Sequence, residues 1–337
     1  MSTIQVGLLG LGRVGSSVGL ALKRRNSQKD ARQTFVVSAY DPRPTMVSAA
    51  EGRGVADRFV RSAADAVRDK DIVVIALPYA EVAAAYRTMA PSLRSDAVIL
   101  DASLLKLPSM EWARKHLPEN VHTIGVTPIV NARYLYEGLD DAAHAAEDYF
   151  DDGVLLIMPD VRANADAVQL AVDFSAILGA SSHFVDPVEH DGVAAATEGL
   201  PALLGVAMFR MLQQSDGWND ARRAGNPALG LLTHHLHDAH PDDLRDLLLL
   251  NRENMLHVLN AYIGALEEFR DVLARADRPA LEEVIVRSEE AYRAWLLKRA
   301  SNRWDDSQEA SDAPRSAVMD GLLGSYLSKR LRGGKQP

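Results

Sequence analysis

Gly10, Gly12 and Gly15 stand in the run IQVGLLGLGRVG, spaced as G-x-G-x-x-G between an apolar stretch at residues 4–9 and the helix-like SSVGLALKRR. That spacing suits one kind of chemistry, the holding of a diphosphate by main-chain N–H groups. Gly10 permits a tight strand-to-helix turn, Gly12 lets a phosphate approach the backbone, and Gly15 lets the helix pack close to the strand. Leu11, Arg13 and Val14 complete the cradle, with the positive end of the helix dipole behind it. A glycine turn made only for packing is the other reading. The next acid supports the first. Residues 35–40 are rich in β-formers and lead into Asp41, whose carboxylate can accept hydrogen bonds from the hydroxyls of an adenosine ribose. This favours NAD. Arg43 could meet a 2′-phosphate, so NADP is the alternative, and Asp41 as a turn residue before Pro42 is the plainer reading. The interval after the glycines is long because residues 24–34 read as a polar insertion.

Oxidation of an alcohol by such a cofactor needs a group to take the hydroxyl proton. Lys106 follows a strand end and could serve as a base if desolvated; a solvent-facing loop lysine is the alternative. His190 and Asp191 could orient substrate or exchange a proton, or could simply start a helix, where an aspartate is favourable. Thr127 and Asn131 could hydrogen-bond a substrate oxygen, or belong to strand-end and turn chemistry. Four histidines crowd residues 234–240: His234, His235, His237 and His240. Two of their pairs are three residues apart, which metal ligation could use. The adjacent Pro241 and the lack of acidic ligands beyond Asp238 favour a histidine-rich loop or helix end, so no metal is expected.

These residues need elements to place them. Residues 71–78 form a continuous apolar run, as in a strand buried on both faces. Residues 81–89 read as helix, and 97–101, 121–126, 153–158 and 181–185 as strands. Residues 164–178 read as a helix stopped by Gly179. Alternating strands and helices imply a Rossmann-type, doubly wound, mostly parallel sheet. Its ligands bind beyond the carboxyl ends of the strands, so Leu77, Pro78, Asp101 and Ser103 join the cofactor-binding candidates. After Pro187 the strand signals vanish. Helices are expected at 188–213, 244–276 and 280–299. The apolar stripe through Leu247, Met255, Leu259, Ile263, Leu266 and Phe269 exceeds what a small domain buries alone, so a homodimer is expected through this half. The predicted division is a dinucleotide-binding domain at 1–186, a helical domain at 187–300, and a polar linker with a short helix at 301–337.

Composition removes several classes. A formal charge of −9 without a large basic cluster argues against a nucleic-acid surface. The chain has no cysteine, which excludes disulfides, thiolate metal sites and cysteine nucleophiles and fits a cytoplasmic protein. No apolar run reaches transmembrane length and no signal peptide is visible, so no membrane partner is expected.

Taken together, VGLLGLGRVGSSVGLAL, AYDP, DIVVIALP, LDASLLK, IGVTPIVN, PVEHD and LLLNRENMLHVLNAYIGALEEFRDVL resemble, in order and spacing, the prephenate/arogenate dehydrogenases. The resemblance covers about residues 4–300. It implies a nucleotide-binding domain, a helical dimerisation domain and an active site in the cleft between them. It implies oxidation of a ring hydroxyl by NAD(P)+ with loss of carbon dioxide, in tyrosine biosynthesis. It also exposes departures on the substrate side. Where the family carries a catalytic histidine in an H-P setting, this chain has Thr127-Pro128. Leu104 replaces a serine before Lys106. An S-H-L-P-H motif becomes Glu198-Gly199-Leu200-Pro201-Ala202, and His234 stands roughly where a substrate-clamping arginine is expected. Threonine cannot accept a proton near neutral pH as imidazole can, and the lost arginine removes a bidentate carboxylate clamp. Two alternatives therefore stay open: a dehydrogenase of another small hydroxy acid on the same scaffold, or a dimeric protein that binds NAD(H) or a metabolite without turnover.

Overall fold

Strand β1 (Ser2–Leu9) delivers the glycine run to the rim of a sheet. The structure, a computed structural model, describes residues 2–29, 31–137, 139–302 and 304. The further strands are β2 (Gln33–Tyr40), β3 (Arg58–Phe59), β4 (Ile72–Ile75), β5 (Val98–Asp101), β6 (His122–Ile129), β7 (Val154–Pro159) and β8 (Ser181–Phe184). They form one sheet in the order β3-β2-β1-β4-β5-β6-β7-β8. All pairs are parallel except β6 with β7. This is the expected Rossmann-type, mostly parallel sheet followed by helices. The exception has a topological reason. Residues 130–153 link β6 to β7 with short 3-10 turns and no α-helix among the described residues, whereas a parallel return is usually made through a crossover helix.

The register puts the ligand candidates on one level. Leu9 pairs with Tyr40 and with Ile75, Ile75 with Asp101, and Asp101 with Gly125. Gly10, Asp41, Ala76 and Ala102 therefore start their loops side by side, and Val126 within β6 lies on the same level. The middle of this sheet, IVVI of β4 and VILD of β5, is buried throughout, as expected for strands covered on both faces.

The helices of this unit are α1 (Arg13–Asn26), α2 (Pro44–Gly52), α3 (Ala63–Val67), α4 (Tyr79–Met89), α5 (Lys106–His116) and α6 (Ala165–Leu178). The insertion read at 24–34 is shorter than expected. Helix α1 runs through Asn26, whose side chain bonds both the N–H and the carbonyl of Phe35 at 2.8 and 2.7 Å, tying the helix end to β2. Helix α6 is capped by Asn164, which accepts from Ala167 N–H, and is ended by Gly179 at φ +91°.

The described chain forms two compact units that part between His190 and Asp191, within α7 (Pro187–Ala194). In the second unit the expected helix at 188–213 is interrupted. A π turn at Ala195–Gly199 separates α7 from α8 (Leu200–Gln213). Pro201 has no N–H for the carbonyl four residues back, and the wider turn absorbs that loss. Short helices α9 (Trp218–Ala221), α10 (Pro227–Thr233) and α11 (His235–Asp238) follow. The helix expected at 244–276 is two, α12 (Pro241–Leu250) and α13 (Arg252–Ala274). Asn251 leaves the helical region at the break, and its buried side chain donates to the Asp191 carbonyl at 2.7 Å. Helix α14 (Arg278–Ser301) completes the unit. Leu256, Ile263, Leu266, Phe269 and Leu273 of α13 are exposed, as are Ile285, Trp295 and Leu297 of α14. The helix expected at 317–332 and most of the polar linker before it lie outside the described residues.

Candidate dinucleotide and proton-transfer site

The glycine loop is shaped by contacts that exclude side chains. Gly10 sits at φ +98°, and a Cβ there would lie 2.1 Å from the Ala76 carbonyl oxygen. A Cβ on Gly15 would lie 2.0 Å from the Gly10 carbonyl oxygen. Strand β4 and helix α1 thus both press on the turn, beside Leu77 and Pro78 at the start of α4. Gly12 differs: the nearest atoms to its missing Cβ are the Asp140 carboxylate oxygens, at 3.1 and 3.2 Å. No side chain caps α1 from its own N-cap residue. Instead Arg13 N–H donates to Asp140 Oδ1 at 2.7 Å. Val14, next in the helix, is half-buried.

Asp41 is buried and fully engaged. Its Oδ2 accepts from Leu11 N–H at 2.7 Å and from Arg43 Nη2 at 2.9 Å. Its Oδ1 accepts from Arg43 N–H at 2.8 Å and Arg43 Nε at 2.9 Å. A planar guanidinium suits this fork geometry. The residue expected to compete with Asp41 over the ribose is therefore bound to it.

Arg13 departs from expectation. Its main-chain N–H belongs to the cradle, but its side chain is buried away from it. The guanidinium lies 5.0 Å from the Tyr134 ring centre and 4.7 Å from that of Tyr149, and 2.5 Å from Glu137 Oε2. Its Nε has no hydrogen-bond partner among the described residues.

Asp101 is also corrected. It is fully buried, with Oδ2 accepting from the Tyr86 hydroxyl at 2.6 Å and Oδ1 from Ser103 N–H at 2.8 Å. Burial, reinforced by the Asp101 charge, pushes the Tyr86 hydroxyl well above its ordinary value. Asp101 is a latch inside the fold, and its neighbour Ser103 is the ligand candidate. The buried Ser103 hydroxyl has no hydrogen-bond partner among the described residues. Such an orphan is rare inside proteins and fits a polar ligand group.

Lys106, expected as a base, is wholly buried. Its Nζ donates to the carbonyls of Asp101 at 3.2 Å, of Val126 at 2.8 Å, and of Ser103. Three carbonyls thus converge on one side-chain nitrogen. The lysine pins the end of β5 to the middle of β6. Just beyond Val126, the Thr127 hydroxyl lies 2.8 Å from His190 Nε2. Thus Thr127 and His190, far apart in sequence, form a hydroxyl–imidazole pair in one unit. Asn131 uses its side-chain oxygen to accept from Arg133 N–H at 3.0 Å, which is turn capping.

In the second unit Asp191 is buried. His234 holds the Leu231 carbonyl at 2.8 Å through Nδ1, and its ring stacks on His235 at 3.9 Å. His237 pairs with Asp238, and His240 caps α12 by accepting from Asp242 N–H. Among the described residues no cluster of three histidine or acidic side chains is placed to hold a metal.

Sheet order, glycine cradle and Asp41 define the class: a Rossmann-type, NAD-dependent oxidoreductase. Residues 18–184 match the prephenate dehydrogenase nucleotide-binding domain, and residues 186–287 the prephenate dehydrogenase dimerization domain. The chain belongs to the prephenate dehydrogenase family. It is 24% identical over 292 residues to cyclohexadienyl dehydrogenase of Zymomonas mobilis, covering 85% of this chain and 94% of that one. It is 23% identical to prephenate dehydrogenase of Bacillus subtilis over 80% of this chain and 70% of that one. Among solved structures it is similar to prephenate dehydrogenase from A. aeolicus in complex with hydroxyphenyl propionate and NAD+. That match has a TM-score of 0.70 and 19% identity, covering 86% of this chain and 98% of the other. Synechocystis arogenate dehydrogenase matches at TM-score 0.62 and 16% identity, over 87% and 99%.

Proposed function

We propose that the protein oxidises the ring hydroxyl of a prephenate-type cyclohexadienyl carboxylate, with loss of carbon dioxide, and that His190 receives the hydroxyl proton. The carrying observation is the 2.8 Å contact between Thr127 Oγ1 and His190 Nε2. Thr127, inside β6, stands where the resemblance implies the family's histidine, and an imidazole from α7 reaches that threonine. Bound NAD+ supplies the hydride acceptor; NADP+ is the alternative cofactor. Gly10 to Gly15 and Asp41 hold its diphosphate and adenosine ribose, with Leu77, Pro78 and Ser103 on the same rim. Thr127 orients the imidazole and the substrate oxygen. His190 Nε2 takes the proton as the hydroxyl carbon is oxidised, and returns it to the phenolate oxygen when the carboxylate leaves as carbon dioxide and the ring becomes aromatic. Lys106 is a positioning residue. Asp191, His234 and Asn131 remain candidates for contacting substrate. The exposed apolar face of α13, in a segment that matches a dimerization domain, supports a homodimer, and the exposed apolar residues of α14 continue beyond that segment.

The test is absorbance at the nicotinamide band with NAD+ and prephenate or arogenate. Turnover that disappears in His190→Gln, with NAD+ binding intact, supports the proposal. The changed run Glu198-Gly199-Leu200-Pro201-Ala202 favours a second reading, a different small hydroxy acid as substrate. Turnover of such an acid without turnover of prephenate or arogenate would favour it.

A further inference from the structure

A diphosphate cradle works by presenting unspent N–H groups and the positive end of a helix to an anion. Here that place already holds one. Asp140 Oδ1 accepts from Arg13 N–H at 2.7 Å, and both Asp140 carboxylate oxygens stand over Gly12, 3.1 and 3.2 Å from where its Cβ would be. Gly10, Leu11, Gly12 and Arg13 are all buried. Asp140 belongs to the connection between β6 and β7. That connection is fastened over α1 by further contacts: the Arg13 guanidinium lies against Tyr134, Tyr149 and Glu137, the Arg13 side chain donates to the Glu137 carbonyl at 3.1 Å, and Ala146 N–H donates to Ser17 Oγ at 3.1 Å.

We infer that Asp140 is an internal stand-in for a phosphate, and that the dinucleotide binds only after displacing it. Resting on the NAD assignment, the inference adds a residue of the chain itself that sets cofactor affinity by competing for the cradle. The chemistry forces the competition. A carboxylate and a diphosphate seek the same Arg13 N–H, and two like charges within hydrogen-bonding distance of one donor repel. Asp140 is exposed, so leaving the helix end returns it to water. The buried Arg13 Nε, with no hydrogen-bond partner among the described residues, also counts against the closed arrangement. Asp41, by contrast, is buried and held by four donors and stays in place.

When only a fraction of molecules is open, the apparent dissociation constant rises by the inverse of that fraction. Titration calorimetry of the full chain with NAD+ reads this directly and needs no turnover. Asp140→Asn should tighten NAD+ about tenfold, and Asp140→Ala at least as much. Asp141→Asn is the control: Asp141 caps a 3-10 turn by accepting from His144 N–H, and its carboxylate also meets the His144 ring at 2.7 Å. Its removal should leave the affinity within about twofold of wild type. A second reading uses amide hydrogen exchange, in which residues 139–148 should exchange faster when NAD+ binds. Unchanged or weaker NAD+ binding in Asp140→Ala overturns the inference, as does equal tightening in Asp141→Asn, which would mark a general charge effect. Slower exchange at 139–148 on binding would show that the connection closes on the cofactor and would also overturn it. Failure of wild type and variants alike to bind NAD+ would overturn the cofactor assignment and this inference with it; the outcomes above touch this inference alone.

Discussion

His190 Nε2 lies 2.8 Å from the Thr127 hydroxyl, and both belong to the unit that carries the glycine cradle. Of the two side chains, the imidazole carries the basic ring nitrogen that general-base chemistry uses. His190→Gln should lower kcat by roughly 10²–10⁴-fold, the usual contribution of a positioned base, with no change in the dissociation constant of NAD+. Thr127→Val keeps the shape and loses the hydrogen bond, so kcat should fall by about tenfold. Steady-state kinetics alongside calorimetry checks both, and a His190→Gln variant with wild-type kcat would remove His190 from the reaction.

Arg43 clamps Asp41 through two side-chain hydrogen bonds and so moderates the charge that a 2′-phosphate would meet. Asp41→Ala should weaken NAD+ roughly tenfold and NADP+ less. Arg43→Ala exposes the carboxylate and should weaken NADP+ roughly tenfold while leaving NAD+ nearly unchanged. Paired titrations with the two cofactors decide this; equal losses for both in Asp41→Ala would take Asp41 off the ribose.

The three cradle glycines should part company on substitution. Gly10→Ala and Gly15→Ala force a Cβ to about 2 Å from a carbonyl oxygen, an overlap the backbone must move to relieve. Each should cost about 3 kcal/mol of stability. Gly12→Ala meets only the movable Asp140 carboxylate, so the fold should survive while NAD+ binding is lost. Denaturant unfolding and calorimetry separate the two effects.

Lys106→Met should act on stability. It leaves the carbonyls of Asp101, Ser103 and Val126 buried without their donor, at a cost of about 3 kcal/mol or more. A variant as stable as wild type in urea would contradict the pinning role.

Tyr86 sets an alkaline limit. Its hydroxyl is held neutral well above the ordinary 10.0 by burial and then by Asp101, whereas in the unfolded chain it ionises there. The unfolded state therefore releases a proton that the native state keeps. The contribution is complete below pH 10 and is lost as pH rises toward the folded value. Tyr86→Phe should flatten the alkaline limb of stability against pH, and should lower stability at neutral pH by about 1–3 kcal/mol because Asp101 loses a donor. Thermal midpoints across the alkaline range provide the measurement.

Much of the first unit was legible because its signals are local. The strand before Gly10, the acid after Tyr40, the apolar run at β4 and Gly179 after α6 each report on a few adjacent residues. The roles of Lys106 and Asp101 were not legible, since both depend on partners from other elements. A lysine past a strand end looks the same in sequence whether it faces substrate or the carbonyls of Asp101 and Val126. Asp140 lay in a polar stretch with no pattern, and only the fold brings it to Gly12. The Thr127–His190 pair was half legible: each residue stood out, and their contact did not. In the second unit the apolar periodicity showed helices but not their breaks, because Pro201 and Asn251 interrupt the backbone without interrupting the stripe.

The lysine under the rim bears on how such a protein can change its chemistry. Because Nζ of Lys106 grips the main chain at Val126, the strand that carries the following side chain is held from beneath as well as by its pairing with β7. Position 127 is then a socket set in the main chain of β6, which pairs there with β7. Redesign of the enzyme toward new alcohols can begin at that socket.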